Sequence, residues 1–61
     1  MKNENGEEWQ IWQLTGVNDR IQIASMDDAD LANDFVDMAN REPMVNGACY
    51  YWILVIHETE E

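Results

Sequence analysis

Sixty-one residues carry Asp+Glu 13 against Lys+Arg 3, a formal net charge of -10, and 46% of them are hydrophobic. A chain this short forms one domain with a small core, burying about 60% of the surface that its unfolded form exposes. Lys2, Arg20 and Arg41 are too few to neutralise a phosphate strand, which excludes direct nucleic-acid binding, and the charge repels anionic lipid. Three Trp, two Tyr and one Phe make the chain too apolar for a disordered acidic tail.

The elements follow in chain order. Residues 1–7 are polar and acidic, unlike a signal peptide, and are expected to fray. Trp9–Leu14, rich in aromatic and branched residues, reads as a strand. Thr15–Asp19 is a turn of Gly, Asn and Asp type, and Arg20–Ala24 alternates polar and apolar residues as a half-buried strand does, so the two strands form a hairpin. Ser25 reads as an N-cap with Asp28 completing a capping box, and a helix is predicted over 26–40. Leu31, Ala32, Phe35, Val36, Met38 and Ala39 fall on one side of it; Asp27, Asp30, Asp34 and Asp37 fall on the other, within an arc of about 80°. Arg41 suits the negative helix end, and Pro43 stops the helix.

After an Asn46-Gly47 turn signal, Ala48–Ile56 is apolar at consecutive positions and reads as the last strand, with both faces covered or one face meeting a partner. Cys49, the only cysteine, is expected to be a buried, reduced hydrophobe in an intracellular chain. Residues 58–61 are expected to fray. The predicted fold is α+β, in the order β-β-α-β: a three-stranded, mainly antiparallel sheet with one helix packed on one face, forming a single domain over 1–61. One helix cannot cover two sheet faces, and Trp9, Trp12, Tyr50, Tyr51 and Trp52 are too many rings for one thin core. An exposed aromatic sheet face, or a homodimer through it, is therefore expected.

The residues offer little for catalysis. His57 is the only imidazole and lies in an acidic tail, and no Ser or Cys has a base and an orienting group within its sequence pattern. No enzyme activity and no cofactor are expected. Asp28-Ala29-Asp30-Leu31-Ala32-Asn33 begins like a calcium loop, but it lacks the Gly at the sixth position and sits on a predicted helix. A single Cys and a single His do not make a zinc site, so no metal is expected.

The acidic helix face remains. At about 1.5 Å rise per residue, Asp27, Asp30, Asp34 and Asp37 step along the axis by roughly 4.5 to 6 Å, near the phosphate spacing of a nucleic-acid strand. An Arg or Lys that reads phosphate also accepts carboxylate. Like charges at i,i+3 and i,i+4 cost stability, and no Lys interleaves this stripe, which suggests a use for the charge. With this stripe, the acidic ends Glu4-Glu7-Glu8 and Glu58-Glu60-Glu61, and its small size, the chain resembles the small acidic anti-CRISPR proteins of phages that mimic nucleic acid. The resemblance lies in general character, not in a motif. The same profile fits mimics that inhibit restriction enzymes, uracil-DNA glycosylase or nucleoid proteins, and it fits an acidic antitoxin.

That resemblance implies a non-catalytic inhibitor in the cytoplasm of a bacterial host. It would dock on a basic groove of a nucleic-acid-binding protein, such as a CRISPR effector, through Asp27, Asp30, Asp34 and Asp37, with Glu7, Glu8 and Glu58 as outlying contacts. The alternative is a protein–protein interaction module that binds through an exposed aromatic sheet face of Trp9, Trp12, Tyr51 and Trp52.

Overall fold

The computed structural model describes residues 2–16 and 18–58. They form β1 (Glu7–Leu14), β2 (Arg20–Met26), α1 (Ala29–Arg41) and β3 (Cys49–Ile56). The sheet order is β2-β1-β3, and both pairings are antiparallel. The fold is therefore α+β, with β1 in the centre and the helix across one face.

β1 alternates strictly. Trp9, Ile11 and Gln13 are buried beneath the helix, while Gln10, Trp12 and Leu14 point to the other face and are half-exposed. Ile11 and Ala32 of α1 are fully buried and, with Trp9, form the core; Ile23, Ala24, Met26, Ala29, Phe35 and Val36 pack around it. At the far end Tyr50 donates its hydroxyl proton to Gln13 Oε1 at 2.9 Å, so the one buried polar side chain among the described residues is satisfied. The β1–β2 ladder shifts register between Ile11 and Trp12, which leaves Ile23 as an extra residue in a β-bulge.

The helix starts later than the sequence suggests. Ser25 and Met26 continue β2, and the N-cap is Asp28, whose carboxylate accepts from the Asp30 amide at 2.8 Å. The Ser25 hydroxyl instead donates across the sheet to Glu8 Oε2 at 2.6 Å. A cross-strand partner outcompeted the local cap. The helix turns Ala32, its one buried residue, onto the sheet. Leu31 and Met38 consequently sit at the margins of the apolar arc and are exposed.

Two turns carry glycines with positive φ. Gly47, at φ +85°, is the third residue of the turn that Ala48 closes by donating to the Val45 carbonyl at 3.1 Å. Gly6, at φ +78°, lies in a lead-in bonded to the strands: Asn3 N–H donates to the Glu7 carbonyl at 2.9 Å, and His57 N–H donates to the Gly6 carbonyl at 2.7 Å. The β1–β2 turn is closed by Thr15 N–H donating to the Asp19 carbonyl at 2.8 Å. Of residues 58–61, expected to fray, all but Glu58 lie outside the described residues.

Cys49 is exposed, not buried. Period two places it with Tyr51, Ile53 and Val55 on the face away from the helix, at the very start of an edge strand. Nor is β3 fully covered on either face: Tyr50 is buried, but Trp52, Ile53, Leu54 and Ile56 are exposed.

Candidate functional site

The molecule presents two surfaces on opposite sides, and a polar cluster borders the second of them. The first surface is the outer face of α1. Asp30, Asp34 and Asp37 are exposed there, at steps of about 6 and 4.5 Å along the axis. Asp27 does not belong to this helical stripe, because it lies in the bend before the cap, exposed beside Asp28. The stripe is not without local compensation either. Arg41, four residues after Asp37, places Nη2 2.9 Å from its Oδ2, with both side chains exposed. Such a pair contributes about 0.2–0.5 kcal/mol. Asp30 lies in the first turn, where a carboxylate favours the positive helix end. Asp34 has neither device.

Glu7, Glu8 and Glu58 do not extend this stripe. Glu7 accepts from Asn3 Nδ2 at 3.1 Å at the start of β1. Glu58 is exposed just beyond β3. Glu8 points to the opposite sheet face, where it anchors the polar cluster, and only 12% of its side chain is exposed. Ser25 donates to one of its oxygens, His57 Nε2 stands 2.7 Å from the other, and Gln10 Nε2 approaches at 3.4 Å. The Ser25 hydrogen bond chiefly, then that of His57, holds the Glu8 carboxyl down at about 2 against an ordinary 4.5. An ionised carboxylate only accepts, so Nε2 carries a proton in this contact.

Ser25, Glu8 and His57 are the residue types of a hydrolytic triad, but their order is different. Here the acid stands between the hydroxyl and the imidazole. An activated hydroxyl needs a general base upon it, and a carboxyl held at about 2 is a weak one. The arrangement instead ties the ends of three strands together, since Glu8 belongs to β1, Ser25 to β2, and His57 follows β3. Among the described residues no group of three or more His, Cys, Asp or Glu is placed to hold a metal ion, and no helix is long and apolar enough to cross a membrane.

The second surface is the sheet face away from the helix. Trp12 pairs with Tyr51 across β1 and β3. The Trp12 indole N–H donates to Gln10 Oε1 at 3.1 Å, and the Arg20 guanidinium lies 5.9 Å from the ring centroid, within cation–π range. Leu14, Asn18, Arg20 and Tyr51 border an open depression here. Cys49, Ile53 and Val55 continue the face. The expected aromatic set therefore divides. Trp12 and Tyr51 lie on the open face, whereas Trp9 is buried under the helix and Trp52 leans on it, donating from Nε1 to Asn33 Oδ1 at 2.7 Å.

Sequence reasoning missed Asn40. Its carboxamide brackets the backbone of Tyr50, accepting from its N–H at 2.8 Å and donating to its carbonyl at 3.0 Å. No local pattern announces a contact that depends on how the helix end meets a strand ten residues on. Compared with known protein families, curated proteins and solved structures, the chain matches none.

Proposed function

We propose that this protein is a non-catalytic inhibitor that sets carboxylates where a nucleic-acid-binding groove receives phosphates, and so blocks that groove. The observation that carries the reading is the outer face of α1: Asp30, Asp34 and Asp37 lie exposed at near-phosphate spacing, with Arg41 as their local cation, on a chain of net charge -10. Asp27 and Asp28 extend the charge past the helix start, although Asp28 is committed to capping. Glu8 is withdrawn from the contact set by its own network, and Glu58 lies at the far end of β3. The recipient is a Lys/Arg-lined groove of a bacterial nucleic-acid-handling complex, with a CRISPR effector as the leading case from the resemblance.

The test is competition. The protein should displace nucleic acid from such a complex at low salt, and the effect should weaken as salt rises, since exposed charges are screened over about 8 Å at physiological ionic strength. A variant with Asp27, Asp30, Asp34 and Asp37 all changed to Asn should fold and no longer compete. Unchanged competition by that variant would remove the mimic reading.

A second reading rests on the open sheet face. Trp12, Tyr51, Ile53 and Val55 offer an apolar surface rimmed by Arg20 and the Glu8 cluster. Rigid aromatics of this kind anchor protein–protein contacts. Trp12→Ala and Tyr51→Ala would then abolish partner binding with little change in its salt dependence.

A further inference from the structure

The sheet has two outer strands, and they are unlike. β2 carries Arg20 and a bulge at Ile23, devices that blunt an edge. β3 reads CYYWILVI, with no charge, no proline and no bulge against β1. An edge of that kind is a template for another strand.

The Asn40 clamp shows which part of the edge is open. In an antiparallel ladder, successive residues turn their N–H and C=O alternately to one neighbour and to the other. Tyr50 turns both outward, into Asn40. Trp52, Leu54 and Ile56 share its orientation, while the His57 N–H turns inward to Gly6. Among the described residues, no hydrogen bond is made to the outward groups of Trp52, Leu54 and Ile56. Their side chains share the helix side of the sheet and are 39%, 43% and 58% exposed.

We propose that two copies of this chain associate through the β3 edge, antiparallel and centred on Leu54, joining two three-stranded sheets into one. The occupant is a second copy because the open segment is self-complementary. A two-fold axis at Leu54 sets Leu54 opposite Leu54, and Trp52 opposite Ile56 of the second copy. Each of these three pairs exchanges both of its backbone hydrogen bonds, so every open group on both edges is satisfied. The Asn40–Tyr50 clamp is left intact. On the open face the same register sets Ile53 against Val55. The two-fold also sends the two helix ends to opposite ends of the seam, so they do not collide. The ladder from Trp52 to Ile56 spans about 17 Å at ~3.4 Å per residue and about 20 Å of depth through sheet and helix, on the order of 350 Å² per copy, below the standard size of specific interfaces. The dimer is therefore weak and concentration-dependent. The seam from Trp52 to Ile56 is uncharged, so the opposition comes from the long-range repulsion of two chains of net charge -10.

That repulsion makes the salt dependence diagnostic. Sedimentation across micromolar to millimolar protein should show a monomer–dimer equilibrium that tightens as salt rises, opposite in sign to docking on a basic groove, so either reading can fail alone. Amide exchange should slow at Trp52, Leu54 and Ile56 as dimer forms, while Ile53 and Val55, already bonded to β1, change little. Leu54→Lys should weaken dimerisation about tenfold or more, although it lowers the net negative charge, because it sets Lys against Lys on the axis. Mixing Leu54→Lys with Leu54→Glu should restore a heterodimer. If the parent stays monomeric at millimolar concentration and high salt, the proposal is overturned, and an extended segment of another protein becomes the occupant to test. A dimer that is indifferent to Leu54→Lys, with unchanged exchange at the three amides, overturns it equally and places the contact on the open sheet face.

Discussion

Gly6 and Glu8 hold the start of β1 to His57 just beyond β3, each by a different physical device. At Gly6, φ is +78° and a Cβ would collide with the carbonyl oxygen of His57, so the position is restricted both by backbone conformation and by space. Gly6→Ala should destabilise the fold by about 1–3 kcal/mol, read as a lower midpoint in urea unfolding. A change of a few tenths would mean that the lead-in detaches without consequence. Glu8 acts through its charge. Its carboxyl is held at about 2 in the folded state against an ordinary 4.5, so it contributes stability in full above about pH 4.5 and loses it as pH falls towards 2. Glu8→Gln should therefore be less stable than the parent near neutrality, and the gap should close across that window. A gap that stays constant from pH 6 to pH 2 would show that the loss comes from shape, not charge. Neither residue announces itself in the sequence. Glu8 reads as one more acid in an acidic stretch until β2 and His57 arrive beside it.

At the scale of elements, α1 separates acids that stabilise from acids that do not. Asp28→Ala removes the N-cap and should cost about 1 kcal/mol in unfolding experiments. Asp34→Asn relieves repulsion from Asp30 at i−4 and Asp37 at i+3, so it should be neutral or stabilising by a few tenths of a kcal/mol. An Asp34→Asn variant as damaged as Asp28→Ala would mean that the stripe holds the fold. The three strands and the helix were legible in the sequence: β1 in its aromatic and branched residues, β2 in the period two of Arg20–Ala24, β3 in its apolar run and α1 in the period 3.6 of Ala29–Ala39. The helix start was not, since Ser25 and Asp28 are both good caps and the choice was made by Glu8, seventeen residues earlier. The exposed Cys49 was illegible for a related reason. An apolar run says that a strand has two apolar faces, but not whether anything covers them. The carboxylates on the outer face of α1 were legible apart from Asp27, which the later helix start removed from the stripe.

The whole molecule is thin, with Cα extents of 44 × 23 × 11 Å, and a layer this thin leaves nearly every charge at the surface. Among the described residues the exposed pair Asp37–Arg41 is attractive, while the net charge of -10 is repulsive throughout. The two have opposite salt dependence. Screening of an exposed pair removes a few tenths of a kcal/mol, whereas screening of the summed like charges relieves self-repulsion of the compact state. The second effect involves many more charges and should dominate. Raising salt from low to physiological ionic strength should therefore raise the melting temperature, by several degrees if it stabilises by about 1 kcal/mol, since that amount shifts a domain of this size by about 4–8 °C. The quadruple Asp→Asn variant at 27, 30, 34 and 37 should melt higher than the parent at low salt and respond less to added salt. Dimerisation through β3 would add a concentration-dependent rise, so the scan belongs at the lowest workable protein concentration. A melting temperature that falls as salt is added would show that the few attractive pairs outweigh the field of the whole chain. The acidic surface would then be part of what holds the fold together, not a charge held in reserve for a partner.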